Sequence, residues 1–335
     1  MSNSTMASVT QYWPVIGHEW AIEHLDRALR HNRMRHAYLI TGPGHIGKTT
    51  LARAFAAALV CTGEHAPCGE CRACRLIAHS SHPDLTIIDS GEKGSVLKIE
   101  QVRDLQQVLS LRPYEARYRV AILRRFHEAN PAAANALLKT LEEPTRDVVI
   151  ILTAESTDAL LPTIVSRCQP IQLRPLPLQT VRDALVERYD APPEQAEMLA
   201  RLSGGRIGWA IAALQAPEEL ELRQQAVVLL EQALQGKRRE RFKLVEGMPG
   251  DKGALLPLLD VWQGYWRDAL LLASGSQAPI TNYDHAEQLS ALAQAIGTAA
   301  AHHALDATCR TIVALGKNAN ARLALEVLML DYPTP

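Results

Sequence analysis

Gly42-Pro43-Gly44-His45-Ile46-Gly47-Lys48-Thr49 is a complete G-x-x-x-x-G-K-T, the pattern of a loop that holds phosphate. Its glycines let backbone N–H groups turn inward around phosphate oxygens, and the following helix adds the partial positive charge of its N-terminus. Lys48 is placed to reach the β and γ phosphates, and the Thr49 hydroxyl suits Mg²⁺. The β-like run His36-Ala37-Tyr38-Leu39-Ile40 comes before the loop and a helical run opens at Thr50, so strand, loop and helix stand in the required order. Residues 42–50 are therefore the expected contacts for ATP or ADP.

Hydrolysis needs more: a carboxylate at a neighbouring strand end to hold the metal, and a group to orient water. The strand that should supply it, Arg119-Val120-Ala121-Ile122-Leu123, runs into Arg124-Arg125-Phe126-His127. A guanidinium keeps its proton and ligates no metal, so this strand end offers positive charge where a cation should sit. The expectation is phosphate binding without metal-assisted hydrolysis. Asp89 and Glu155, which follow other β-like runs, are alternative sources of the acid.

A second chemistry lies just beyond. Cys61-x6-Cys68-x2-Cys71-x2-Cys74 brings four of the six cysteines into one short segment containing Gly63, Pro67 and Gly69. Four thiolates at such spacing suit tetrahedral Zn²⁺ in a closed, structural site. His65 and His79 are near enough in sequence to replace one thiol, and an iron–sulfur cluster or unligated core thiols are the alternatives.

These residues need a scaffold of 335 residues with 35 Lys+Arg, 36 Asp+Glu and 47% hydrophobic positions, which predicts a globular protein of two or three domains. The balanced charge gives no global pull toward nucleic acid or an acidic membrane. No apolar run reaches the roughly 18 residues of a membrane span, and the start of the chain lacks a secretory pattern, which predicts a cytoplasmic protein. The β-like runs His36 to Ile40, Leu85 to Ile88, Arg119 to Leu123 and Val148 to Leu152 alternate with helical stretches, which predicts a parallel α/β sheet with flanking helices over residues 1–174. The zinc module, 61–74, is an excursion from it. Two prolines in Arg174 to Gln179 mark a hinge, and no convincing strand follows it. Residues 175–216 then predict a small helical lid. Leu220 to Leu234, Leu255 to Leu272 and Ala304 to Leu330 predict an all-α C-terminal domain over 217–335.

The run before the loop, the four cysteines, Asn135-Ala136-Leu137-Leu138-Lys139-Thr140-Leu141-Glu142-Glu143-Pro144, Ser166-Arg167-Cys168 and Asn318-x-Asn320-x-Arg322-Leu323 together resemble the bacterial clamp-loader AAA+ family of DNA polymerase III. The resemblance implies that Arg167 is an arginine finger acting on a neighbouring subunit, where a guanidinium stabilises charge developing on the γ-phosphate. It further implies a ring with gamma/tau and delta subunits, held by a C-terminal collar, that loads a sliding clamp on primed DNA. Within the family, gamma/tau keeps an acidic pair after the strand that here ends in Arg124-Arg125, and delta-prime subunits lack it. Thr153-Ala154-Glu155 and Gly204-Gly205-Arg206-Ile207-Gly208 depart from the γ-phosphate sensors of active relatives, with Arg206 one place out of register. The implied protein is a delta-prime-like subunit, inactive as an ATPase in isolation. A hydrolysing gamma/tau-type subunit is the alternative, and a small-molecule P-loop kinase would leave the zinc module and the helical third without purpose. Two basic clusters, Arg112 to Arg125 and Lys237 to Lys243, are candidate contacts for DNA phosphate, though interleaved Glu115 and Glu240 favour solvated helix faces.

Overall fold

Val148-Val149-Ile150-Ile151-Leu152 is apolar at every position, as a strand covered on both faces must be. A computed structural model describes residues 12–91, 95–317 and 319–334, so Asn318 lies outside the described residues. Five parallel strands form one sheet: β1 (Ala37–Thr41), β2 (Leu85–Ile88), β3 (Arg119–Leu123), β4 (Val148–Ala154) and β5 (Gln169–Gln172), in the order β2-β3-β4-β1-β5. Alternation sends successive side chains to opposite faces. Tyr38, Ile40, Val120, Ile122, Val149 and Ile151 pack with α1 (Glu19–Arg30), α2 (Lys48–Val60) and α3 (Arg72–Ala78) on one side. Ala37, Leu39, Ala121, Leu123, Ile150 and Leu152 pack with α4 (Ile99–Leu109), α5 (Pro131–Glu142) and the short α6 (Pro162–Val165) on the other. The result is a three-layer sandwich.

The four expected strands are present, and β5 is an addition to them. Its sequence, Gln169-Pro170-Ile171-Gln172, has no β pattern, and Pro170 lacks the N–H of a ladder. An edge position tolerates this, because β5 pairs with β1 alone. The β4–β5 connection crosses β1, so the sheet has its topological switch at β1, where open α/β sheets receive ligands beyond the strand C-termini.

The chain divides into two compact units. One contains the described residues up to Gly91, Ser95–Thr180 and Gly205–Gly208; the other contains Val181–Gly204 and the chain from Trp209 onward. Among the described residues no strand follows Gln172. The helices beyond it are α7 (Leu178–Tyr189), α8 (Pro193–Ser203), α9 (Ile207–Gln215), α10 (Glu218–Gln235), α11 (Arg238–Glu246), α12 (Lys252–Ala273), α13 (Ala286–Gly316) and α14 (Ala321–Asp331). α13 breaks at Gly297, whose φ of 72° is left-handed. The second unit is centred on Trp262, Tyr265 and Trp266 of α12 and on Tyr332, all at most 3% exposed. Trp262 Nε1 donates to Ala226 O at 2.7 Å, satisfying the polar atom that comes with this buried ring.

Candidate functional site

The phosphate loop leaves β1 at the switch. Gly42 has φ 146°, and a Cβ there would sit 2.6 Å from the Leu173 carbonyl, so no other residue fits without moving backbone. Gly42 N donates to Glu155 O at 3.1 Å, which ties the loop to the residue after β4. Gly47 is the N-cap of α2, and Lys48 and Thr49 open that helix, with Thr50 exposed behind them. Lys48 Nζ donates to Gly42 O and Pro43 O, each at 2.6 Å, and so folds back onto the start of the loop, with His45 exposed. Ile46 is fully buried, and its carbonyl accepts from His18 Nε2 at 3.1 Å. Burial lowers the His18 imidazole against the opposing pull of that carbonyl and of Glu19, so it anchors the loop as a neutral donor. Gly208 N donates to His45 O at 2.8 Å, and a Cβ on Gly208 would meet that same oxygen at 2.8 Å. The 163 positions that separate these partners hide this contact from sequence reading.

The end of β3 is occupied by ion pairs. Arg124 Nη1 is 2.7 Å from Asp89 Oδ2, and Arg125 bonds the other oxygen of the same carboxylate. Arg125 Nε also meets Glu128 Oε2 at 2.9 Å, while its backbone N–H donates to Thr153 Oγ1 at 3.0 Å. Asp89, the alternative acid, is thus held by two guanidinium groups. His127 is lowered by burial, against Glu155 and Glu128, with Lys48 and Arg125 reinforcing the shift. Its Nδ1 is buried with no hydrogen-bond partner among the described residues.

The four cysteines converge. The Sγ atoms of Cys61, Cys68, Cys71 and Cys74 lie within 4.8 Å of one another, with Cys61–Cys71 and Cys68–Cys74 at 4.0 Å. A tetrahedral metal at a Zn–S distance of about 2.3 Å needs sulfurs roughly 3.8 Å apart, so the donor set fits. Backbone N–H groups point at the sulfurs: Gly63 and Cys68 at Cys61 (3.4 Å each), Cys71 at Cys68 (3.3 Å) and Cys74 at Cys71 (3.4 Å). Burial would raise the Cys71 thiol, but the N–H groups of Thr62 and Cys74 outweigh it and bring it down to about 6. His65 instead stacks on Tyr12 at 4.7 Å between ring centroids, and His79 caps the C-terminus of α3. The module is tied to the sandwich by Arg72, whose Nη1 meets Glu115 Oε2 at 2.6 Å.

Arg167 lies at the surface between α6 and β5, with its side chain 34% exposed. Its Nη2 is 2.7 Å from Glu142 Oε1, and its Nη1 donates to Thr163 O at 2.8 Å. Neighbouring Cys168 is buried, which pushes its thiol up to about 12 and leaves it an inert core group.

Each basic cluster loses members to partners within the fold, while Lys237, Arg238, Arg239 and Lys243 stay exposed. Arg119 is buried beside Asp84 at 3.3 Å, and Arg124 and Arg125 are spent on Asp89, which leaves Arg112 and Arg117 exposed. In the second cluster Arg241 is buried and donates to the carbonyls of Gly236, Met329, Tyr332 and Pro333. Asp84 itself accepts N–H bonds from Tyr114, Glu115 and Ala116 at 2.6–2.9 Å. Burial would raise its carboxyl, but those amides and Arg119 hold it below the usual carboxylate range.

Two family models match the chain: DNA polymerase III, delta subunit, over residues 17–177, and DNA polymerase III, delta subunit, C terminal, over residues 217–334. The chain belongs to the DNA polymerase III clamp-loader family. It is 42% identical over 177 residues to DNA polymerase III subunit delta' of Pseudomonas aeruginosa, covering 51% of this chain and 53% of that protein. It is 32% identical over 219 residues to subunit delta' of Bacillus subtilis, covering 65% of each. Subunit tau of Bacillus subtilis is 35% identical over 187 residues, 55% of this chain and 32% of tau. The chain thus spans about half the length of the first relative and somewhat under two thirds of the second. A gamma subunit-related protein of Thermotoga maritima superposes with a TM-score of 0.40 at 17% identity, covering 91% of this chain and 97% of that one. Among the described residues no helix is long and apolar enough to cross a membrane.

Proposed function

We propose that this chain is a delta-prime-type clamp-loader subunit: a stator in a bacterial cytoplasmic ring that holds nucleotide without hydrolysing it and supplies Arg167 to the site of a neighbouring gamma/tau subunit. The observation that carries this reading is the pairing of Arg124 and Arg125 with Asp89 beside an intact phosphate loop. Residues 42–50 would cradle ATP or ADP, and Mg²⁺ would find no free carboxylate at the end of β3. A gamma/tau-type ATPase, suggested by the tau relative, needs such a carboxylate; Asp89 and Glu128 are both engaged by Arg125.

In this reading residues 1–174 form the nucleotide-binding domain, 175–216 the lid and 217–335 the collar. The collar assignment is supported by Leu323, Val327 and Leu330, spaced along one stripe of α14 and each at least half exposed, as an interface helix requires. Zn²⁺ at Cys61, Cys68, Cys71 and Cys74 would be structural, pinning the excursion between α2 and β2. The sliding clamp and primed DNA would be reached through the complex with gamma/tau and delta.

The test is reconstitution with gamma/tau and delta subunits of the same organism. Adding the chain should raise ATP turnover by the ring, and Arg167→Ala should enter the ring yet lose that increment. An Arg167→Ala chain that stimulates like the wild type would contradict the assignment.

A further inference from the structure

Arg167 is not loose on the surface. Glu142, the last residue of α5, accepts from its Nη2 at 2.7 Å, while Thr163 O takes Nη1 at 2.8 Å and Ser166 Oγ stands 3.4 Å from Nη1. Guanidinium carries five N–H donors in a planar fork, so anchors on its two terminal nitrogens orient the plane and leave further donors for an incoming anion. The anchor on α5 is itself rigid. Ala133, Ala134, Leu137 and Leu141 bury that helix, Asn130 caps its start by accepting from Ala133 N at 2.7 Å, and Gln106 Nε2 grips Ala136 O and Thr140 Oγ1 at 2.8 and 2.9 Å.

The pair is half in water, with Arg167 34% and Glu142 50% exposed, so it contributes little to stability. Its effect falls on side-chain freedom instead: a long arginine that would otherwise sample many rotamers is held in one. We propose that Glu142 is a positioning residue for Arg167, presenting its guanidinium in an ordered, outward-facing orientation to the polyphosphate of the neighbouring subunit. This rests on the trans-acting reading of Arg167 given above. Positioning needs a hydrogen-bond acceptor at Oε1 rather than a charge, since a carboxylate close to the partner's phosphates also repels them. Glutamine therefore suffices where alanine does not.

The experiment uses the reconstituted ring with wild-type, Glu142→Ala, Glu142→Gln, Arg167→Ala and Glu142→Ala/Arg167→Ala chains, measuring assembly by gel filtration and kcat and KM for ATP. All variants should assemble. Glu142→Ala should lower the increment in kcat that the chain adds by about 3–10-fold with KM nearly unchanged, the size expected from loosening one catalytic side chain. Glu142→Gln should keep at least half of the increment. The double variant should equal Arg167→Ala. A Glu142→Ala chain with an unchanged increment, one that fails to assemble, or one whose defect adds to that of Arg167→Ala would overturn the positioning role while leaving Arg167 as the finger. An Arg167→Ala chain with a full increment would overturn the trans-acting reading itself, and the positioning role with it.

Discussion

Asp89 Oδ2 stands 2.7 Å from Arg124 Nη1, which places the carboxylate at the end of β2 in the service of a guanidinium at the end of β3. Arg125 binds the second oxygen and also pairs with Glu128, so two carboxylates face two guanidinium groups at the end of β3. The arrangement is partly buried, with Asp89 at 25% and Arg125 at 24% exposure. Asp89→Asn should therefore destabilise the chain by about 1–3 kcal/mol through two under-neutralised guanidinium groups. Urea denaturation checks it, and an unchanged midpoint would mean that the arginines find other partners.

Asp84 predicts a pH dependence. Its folded-state pKa lies below the unfolded value because three backbone amides and Arg119 bond the ionised form. Its contribution is thus fully present above the unfolded pKa of about 3.9 and is lost as pH falls through the lower folded value. The stability advantage of wild type over Asp84→Asn should be constant from pH 7 to 5 and shrink as pH drops below about 4. Denaturation midpoints of the two proteins across that range measure it, and a gap that widens on acidification would contradict the assignment.

Zinc should be stoichiometric, one ion per chain. Cys68→Ser should lose it, and chelation should expose the segment around residues 61–78 to protease while the sheet survives, because Cys74 and Ile77 anchor that segment in an otherwise apolar core. Metal analysis beside limited proteolysis decides this. Four metal-free but protected cysteines would show a packing role only.

Much of this was legible in the sequence, and the gaps have physical causes. The apolar runs of β1, β3 and β4 announce strands buried on both faces, and the glycine-rich loop and clustered thiols are local patterns whose partners lie a few residues apart. β5 carries no pattern because an edge strand needs none, and its Pro170 argues against a strand anywhere else in the sheet. Glu142 looks like a solvated helix end until folding sets it against Arg167. Gly208 likewise reads as part of a displaced sensor, and only the fold brings its N–H to His45 O. The arginines of 112–125 look like one basic patch, yet long-range pairing with Asp84 and Asp89 removes three of the five from the surface charge. Local spacing reports motifs; it does not report which charges will be neutralised by residues far along the chain.

The most direct test is nucleotide binding and turnover on the purified chain, with and without Mg²⁺. The account predicts ATP or ADP binding that is lost in Lys48→Ala, with phosphate release no faster than background. Brisk Mg²⁺-dependent turnover that disappears in Lys48→Ala would contradict it, and would mean that a carboxylate other than Asp89 serves the metal in a working motor.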